Sequence, residues 1–276
     1  MGSRQEKRLF MKEQLTIIKV GGAVVEDPAQ LAALLDNFSA IGGKKVLVHG
    51  GGRRATKVAA QLGIESHMVG GRRITDGEML SVVTMVYGGL VNKTLVARLQ
   101  AKGVNALGLT GADMDIIRSH KRPLKKVLMD DGTEQMVDFG FVGDVDCADG
   151  PRLASLIDSG VIPVVAPLTH DGQGNILNTN ADTMASTVAK ALADRYDVTL
   201  IFSFEKKGVL ANPDDDDSVI PVITRDIYDR YVADGTISGG MKPKIENALE
   251  AVGAGVKRVI ITLATMIDGR HGTVIE

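Results

Sequence analysis

Thr16-Ile17-Ile18-Lys19-Val20-Gly21-Gly22 is a β-branched run that stops in two glycines. Val, Ile and Thr are stiff at χ1 and pack well on a pleated surface, so the run predicts a short buried strand. Asp27-Pro28 then supplies a helix N-cap and a first-turn proline, opening a helix to about residue 41. The pattern repeats at Lys45-Val46-Leu47-Val48-His49, which runs into Gly50-Gly51-Gly52. A helix over 53–62 follows, closed by Gly63.

Further along the chain, strands are predicted at 106–109, 161–166, 198–204, 256–262 and 271–275. Helices are predicted at 76–100, 182–193, 224–234 and 241–252. Between 116 and 145 the texture changes to short alternating segments, broken by Asp130-Asp131-Gly132, Gly140 and Gly143, which read as hairpins at one edge. His170-Asp171-Gly172-Gln173-Gly174 reads as a hairpin turn, and the four aspartates 214–217 as a solvated loop. Strands alternating with helices give an α/β fold: a mainly parallel sheet covered on both faces. No proline-rich linker or internal repeat divides the chain. Residues 1–276 therefore read as one domain with two functional lobes, about 15–170 and about 171–276.

Composition removes several function classes. Lys plus Arg is 32 against 34 Asp plus Glu, which leaves no electrostatic footprint for nucleic acid or an anionic membrane. No apolar run approaches the ~18 residues of a membrane span, and residues 1–14 are charged and lack a signal-peptide core. Cys147 is the sole cysteine, so no disulfide forms within the chain and a cytoplasmic location is expected. The five histidines lack ligand spacing, and no metal site is expected from the protein's own side chains.

Three glycine clusters carry the chemistry: Gly21-Gly22, Gly50-Gly51-Gly52 and Gly239-Gly240. Two lie at carboxyl ends of strands, where open parallel sheets bind ligands, and the third opens a helix. Glycine lets backbone N–H groups converge on an anion, and a helix N-terminus adds partial positive charge. Lys19, Arg53, Arg54, Lys242 and Lys244 flank these clusters. No Walker-type phosphate loop occurs. Gly50-x-Gly52-x-x-Ala55 fits a dinucleotide fingerprint, but where a ribose-binding acid is needed the chain reads Gly71-Arg72-Arg73. The esterase-like His49-Gly50-Gly51-Gly52 has no matching nucleophile elbow, and Asp138-Phe139-Gly140 has no protein-kinase catalytic loop before it.

In order and spacing, Ile18-Lys19-Val20-Gly21-Gly22, His49-Gly50-Gly51-Gly52, Arg73-Ile74-Thr75, Asn178-Thr179-Asn180-Ala181-Asp182 and Gly240-Met241-Lys242-Pro243-Lys244 resemble the acetylglutamate kinases of the amino-acid kinase family. The resemblance runs from about residue 15 to the C-terminus. It implies a three-layer αβα sandwich on a mainly parallel eight-stranded sheet. It also implies phosphorylation of the side-chain carboxylate of N-acetyl-L-glutamate, or another N-acyl-L-glutamate such as N-succinyl, in arginine and ornithine biosynthesis. ATP would be the co-substrate, with Mg2+ carried mainly on its phosphates. By motif, Lys19 and Lys244 would stabilise the transferring phosphoryl group, oriented by Asp182. Gly51, Gly52, Arg73, Asn178 and Asn180 would bind the acylated amino acid. Gly21, Gly22, the segment Glu205, Lys206, Lys207, Gly208, Val209, Leu210, and Thr236, Ile237, Ser238 would line the nucleotide site. The chemistry agrees: an ionised carboxylate nucleophile needs no general base, only cations and aligned donors that bring two anions together.

The chain departs from that family at three places. Phe204-Glu205-Lys206-Lys207-Gly208 replaces a usual Asp-Val pair before Gly-Val-Leu. Arg53-Arg54 replaces the usual proline after the triple glycine, and Arg72 stands beside Arg73. One of these extra arginines could meet a second carboxylate on a longer acyl group. Arginine-inhibited members of that family carry a longer segment at this point and a hydrophobic N-terminal helix that joins dimers into hexamers; here the connection at 262–271 is short and no such helix is evident, so the resemblance implies a homodimer without arginine feedback. Another amino-acid kinase, an NAD-dependent oxidoreductase and a non-catalytic binder of acylated amino acids remain as alternatives.

Overall fold

The computed structural model describes residues 12–129, 132–239 and 241–276. Residues 1–11, Asp130, Asp131 and Gly240, which enter several of the readings above, lie outside the described residues.

Eight strands form the central sheet: β1 (Glu13–Val20), β2 (Lys44–His49), β3 (Ala106–Leu109), β4 (Ile162–Val165), β5 (Tyr196–Phe204), β6 (Val222–Ile223), β7 (Arg258–Leu263) and β8 (Thr273–Ile275). Their order is β6-β8-β7-β5-β1-β2-β4-β3. All neighbours are parallel except β7 and β8, so the run Thr16 to Val20 lies at the centre of the sheet. Register pairs Lys19 with Phe202 on one side and with Val48 on the other.

The two-residue period of the strands divides the core. Leu15 and Ile17 belong to one apolar cluster with Val46, Val48, Leu200, Phe202 and Ile261. Ile18 and Val20 belong to the other with Leu47, Val164, Ile201 and Ile260. Helices α1 (Gly22–Glu26), α2 (Pro28–Ala40), α3 (Gly52–Gln61) and α4 (Gly77–Gln100) cover the second face. On the first face lie α5 (Gly150–Asp158), α6 (Ala181–Leu192), α7 (Arg225–Ala233) and α8 (Met241–Gly253). Lys19 follows the odd-numbered alternation and so points to the α6 side. A sandwich of three layers, αβα, results.

Local expectations met tertiary context in different ways. Asp27 caps α2 by accepting from Ala29 N at 2.9 Å and Gln30 N at 3.0 Å, as Asp27-Pro28 predicts. Helices α1 and α5 are not among the predicted elements, although α5 carries a local start signal in Asp149, whose side chain accepts from Arg152 N, and Pro151. Helix α4 is not uniform: residues Thr84–Val91 form a π-helical segment between two α-helical stretches. By length and composition α4 would suffice to cross a bilayer, which no apolar run in the sequence suggested. Its residues Met79, Val82, Val83, Val86, Leu95 and Leu99 are instead buried in the second core.

The segment after β3 forms the expected edge structure. Ile117–Lys121 pairs with Gly143–Ala148, and joins Leu168–His170 and Ile176–Asn178 in a four-stranded sheet. Leu168–His170 and Ile176–Asn178 flank the predicted turn at 170–174. Lys125–Leu128 and Glu134–Val137 make a separate hairpin.

Candidate active site

The carboxyl ends of β1 and β2 bring the first two glycine clusters together. Gly50 N donates to Val20 O at 2.9 Å, locking one turn onto the other. A methyl group on Gly22 would lie 3.5 Å from Gly52 N and 3.6 Å from Gly51 N. Glycine at 22 therefore leaves open the space toward which these amides are grouped. Gly51 has a second constraint, since a Cβ there would meet the Tyr87 ring at 2.8 Å. The adjacent His49 is fully buried, its Nδ1 2.8 Å from Gly50 O and its Nε2 3.1 Å from Asn92 Nδ2. Burial pushes its pKa down to about 4, so the imidazole is neutral and ties β2 to α4 rather than facing a ligand.

One cavity of ≈ 230 Å³ opens over these glycines, lined by Gly22, Gly50, Gly51, Gly52, Arg73, Asn178 and Asn180, with Tyr87, Arg72 and Arg122. Arg73 Nη2 donates to Gly52 O at 3.0 Å and to Thr56 Oγ1 at 2.9 Å, while Nη1 meets Ser66 Oγ. Asn178 is 8% exposed and donates to Thr75 Oγ1 at 2.9 Å. Asn180 Oδ1 accepts from Asp182 N at 2.8 Å and Thr183 N at 3.1 Å. Asn180, not Asp182, is thus the N-cap of α6. Asp182 sits in the first turn, where a negative charge suits the helix dipole. Its Oδ1 lies 2.7 Å from Lys19 Nζ.

A larger cavity of ≈ 660 Å³ lies on the other side, lined by Lys19, Gly21, Gly22, Gly52, Phe204, Glu205, Lys206, Gly208 and Lys244 among others. Gly22 and Gly52 belong to both cavities. Lys244 Nζ stands 3.7 Å from the centroid of the Phe204 ring, and Lys19 Nζ 5.8 Å from it on the same aromatic platform. Desolvation pushes the Lys244 pKa down, and repulsion from Lys19 adds to this against the pull of Asp182 and Glu205. A smaller cavity of ≈ 160 Å³ adjoins it, lined by Lys206, Gly208, Val209, Leu210, Thr236, Ile237 and Ser238.

Several expected positions differ. Lys207 lines neither cavity: its ammonium turns outward to Asp217 at 2.7 Å. Lys206 similarly meets Asp216 at 2.6 Å, so the aspartate run is a set of exposed partners for these lysines. Of the extra arginines, Arg53 faces the larger cavity and pairs weakly with Glu205 at 3.4 Å. Arg54 is 4.0 Å from Glu26, away from both. Only Arg72 lines the smaller, Arg73-containing cavity. Tyr87, Arg122 and Phe204 were not legible as site residues, because the fold brings them in from a helix interior, the residue just past the strand Ile117–Lys121, and a strand end. Among the described residues no group of three or more His, Cys, Asp or Glu side chains gathers to hold a metal.

Residues 14–263 match the model of the amino acid kinase family. The chain is similar to the acetylglutamate kinase of Bacteroides thetaiotaomicron, with 65% identity over 96% of this chain and 100% of the relative. It is similar in structure to smu.665 from Streptococcus mutans, with a TM-score of 0.72, 30% identity, and 95% and 98% of the two chains covered. Carbamate kinase from Giardia lamblia bound to AMP-PNP shares the fold at a TM-score of 0.63 and 17% identity, over 96% and 98% of the two chains.

Proposed function

Since the chain belongs to the amino-acid kinase family and, within it, to the acetylglutamate kinases, we propose that it phosphorylates the side-chain carboxylate of N-acetyl-L-glutamate or a close N-acyl relative, using ATP. The reaction belongs to arginine biosynthesis. The observation that carries the reading is the junction of the two cavities. There Lys19, paired with Asp182, and Lys244, seated on Phe204, face the amides grouped around Gly22 and Gly52.

The smaller cavity holds the acceptor, with Arg73 toward its α-carboxylate and Asn178 on the opposite wall. The ≈ 660 Å³ cavity holds the nucleotide, which extends into the adjoining cavity lined by Thr236, Ile237 and Ser238. A side-chain carboxylate oxygen attacks the γ-phosphorus in line. The bond from that phosphorus to the β,γ-bridging oxygen breaks, and ADP leaves with the electron pair. The carboxylate is ionised at neutral pH, so no proton moves. The lysines and glycine amides meet the charge on the equatorial oxygens, and Asp182 keeps Lys19 aimed. Mg2+ would neutralise the β- and γ-phosphates when bound.

The test is ADP release with Mg-ATP and N-acylated glutamates, with hydroxylamine trapping the acyl phosphate. Lys19→Ala and Lys244→Ala should each cost ~10²-fold or more in kcat, the scale of losing one transition-state donor. Turnover that survives both substitutions would remove the assignment of the two lysines. Folded protein that phosphorylates no acylated glutamate would remove the reaction itself.

A further inference from the structure

The acceptor cavity carries more positive charge than an acetylated substrate can use. Three guanidinium groups line it, Arg72, Arg73 and Arg122, and among the described residues no Asp or Glu side chain does. In the reading above, the side-chain carboxylate of the acceptor lies at the lysines and its α-carboxylate at Arg73. An acetyl group brings no charge to the rest of the cavity, which is where Arg72 and Arg122 stand.

The two are held differently. The Arg122 side chain is 9% exposed and gripped by Asp144, with Nη2 to Oδ1 at 2.6 Å and Nε to Oδ1 at 3.0 Å. Arg72 has no hydrogen bond or ion pair among the described residues, although it lies near enough to Arg122 to feel its charge. Partial desolvation and that repulsion hold the Arg72 guanidinium below the usual arginine range, opposed by Asp144. The position of Arg72 is set by the backbone. Gly70 and Gly71 have φ of 54° and 73°, and pair Val69 with Arg72 and Met68 with Arg73 across a tight hairpin. Such a turn fixes register, so Arg72 is presented at the cavity rather than left to wander. Arg72 is solvent-exposed, so its unpaired guanidinium is carried by water and is free to meet a ligand anion at the cavity.

We propose that Arg72, backed by Arg122, forms an anion subsite for the acyl group, so that the preferred acceptor is a glutamate N-acylated by a short dicarboxylic acid such as succinate. This rests on the kinase reading and adds the chemistry of one end of the same cavity. The side-chain carboxylate still reacts; the acyl carboxylate only anchors.

The experiment compares kcat/KM for N-acetyl-, N-butyryl- and N-succinyl-L-glutamate with the full chain. Butyryl matches succinyl in carbon count without its charge. The expected result is a preference for succinyl over butyryl of ~10-fold or more, the scale of a site whose polar group is left unpaired by the wrong substrate. Arg72→Gln, with an unchanged melting temperature as the control for folding, should bring the succinyl-to-butyryl ratio toward one, and Arg72→Lys should restore part of it. Butyryl or acetyl turned over as well as succinyl by the wild-type chain would overturn the subsite while leaving the kinase reading intact. So would a ratio that Arg72→Gln leaves untouched. No turnover of any of the three would end both readings.

Discussion

Lys244 is held where the fold alone would not place a cation. Desolvation, with the neighbouring Lys19 adding to it, lowers its pKa, and Asp182 and Glu205 offset only part of this; the Phe204 ring lies 3.7 Å from its ammonium. The sign follows: with the folded pKa below the unfolded one, the charged lysine costs stability at neutral pH, and the cost fades as pH rises through the lowered value. Lys244→Met should therefore raise the melting temperature while abolishing phosphoryl transfer, a trade common at functional sites. A calorimetric scan beside the ADP assay checks it, and a drop in melting temperature would show that Lys244 stabilises the fold. In the active enzyme, kcat/KM should fall on the alkaline side below the ordinary lysine value of ~10.4. Phe204→Leu should move that limb and weaken turnover, with Phe204→Tyr recovering most of it. At this scale the site was partly legible. Lys19, Lys244, Gly51, Gly52, Arg73 and Asn178 stand in short local patterns whose glycines and caps announce them. Phe204 and Arg122 do not, because a phenylalanine ending a buried strand and an arginine in a hairpin region look the same whether or not a ligand faces them.

The elements tell a parallel story. Strand β1 and helix α2 follow from a β-branched run and an Asp-Pro start, which are local causes. Helix α5 has a local start too, in Asp149 and Pro151, but its placement is set by its surroundings. Its first residue, Gly150, packs so closely on α6 that a Cβ would lie 2.0 Å from Ala191 O. Gly150→Ala should cost ~1–3 kcal/mol by overpacking, measured by urea unfolding. At the other end of α5, Asp158 accepts from Tyr196 OH at 2.7 Å and from Arg195 Nε at 3.0 Å, and it pairs with Lys44. Lys44 first, then the tyrosine and arginine, hold its carboxyl well below the ordinary aspartate range. A depressed carboxylate stabilises above its unfolded pKa and ceases to do so as pH falls through the folded one. Asp158→Asn should thus lower the melting temperature at neutral pH. The gap between variant and wild type should shrink in strong acid, below the ordinary carboxylate value of ~3.9. A gap that stays constant from neutral to acid would assign the node to packing instead.

For the whole molecule, the alternation of strands and helices was enough to give a parallel sheet covered on both faces. Its strand order was not readable, because it depends on crossovers that no local pattern records. The two functional lobes we propose would divide labour within one continuous sheet, since the glycine turn after its central strand β1 gives Gly22 to both cavities. Gly22 and Gly52 line both, so acceptor and nucleotide share a wall of backbone. Ligands on either side should stabilise one another's binding, with each lowering the dissociation constant of the other equally. Isothermal titration of the acceptor with and without a non-hydrolysable ATP analogue reads this directly. The short connection between β7 and β8 leads us to expect a dimer by light scattering and no inhibition by millimolar arginine. A hexamer, or a shifted ATP response with arginine, would refute it.

The π-helical stretch Thr84–Val91 has a consequence for how this chain can vary. Wider turns accommodate extra sequence in the same axial length, and such segments often mark functional sites. Here it precedes Asn92, whose Nδ2 reaches His49 and, at 2.8 Å, Val164 O. Excising one residue, for example the exposed Leu90, should let the stretch relax to an ordinary helix while Asn92, Leu95 and Leu99 keep their phase with the sheet. A further inserted residue would instead rotate everything after it by about 100°. This stretch of the gene should thus bear the loss of one codon better than the gain of one.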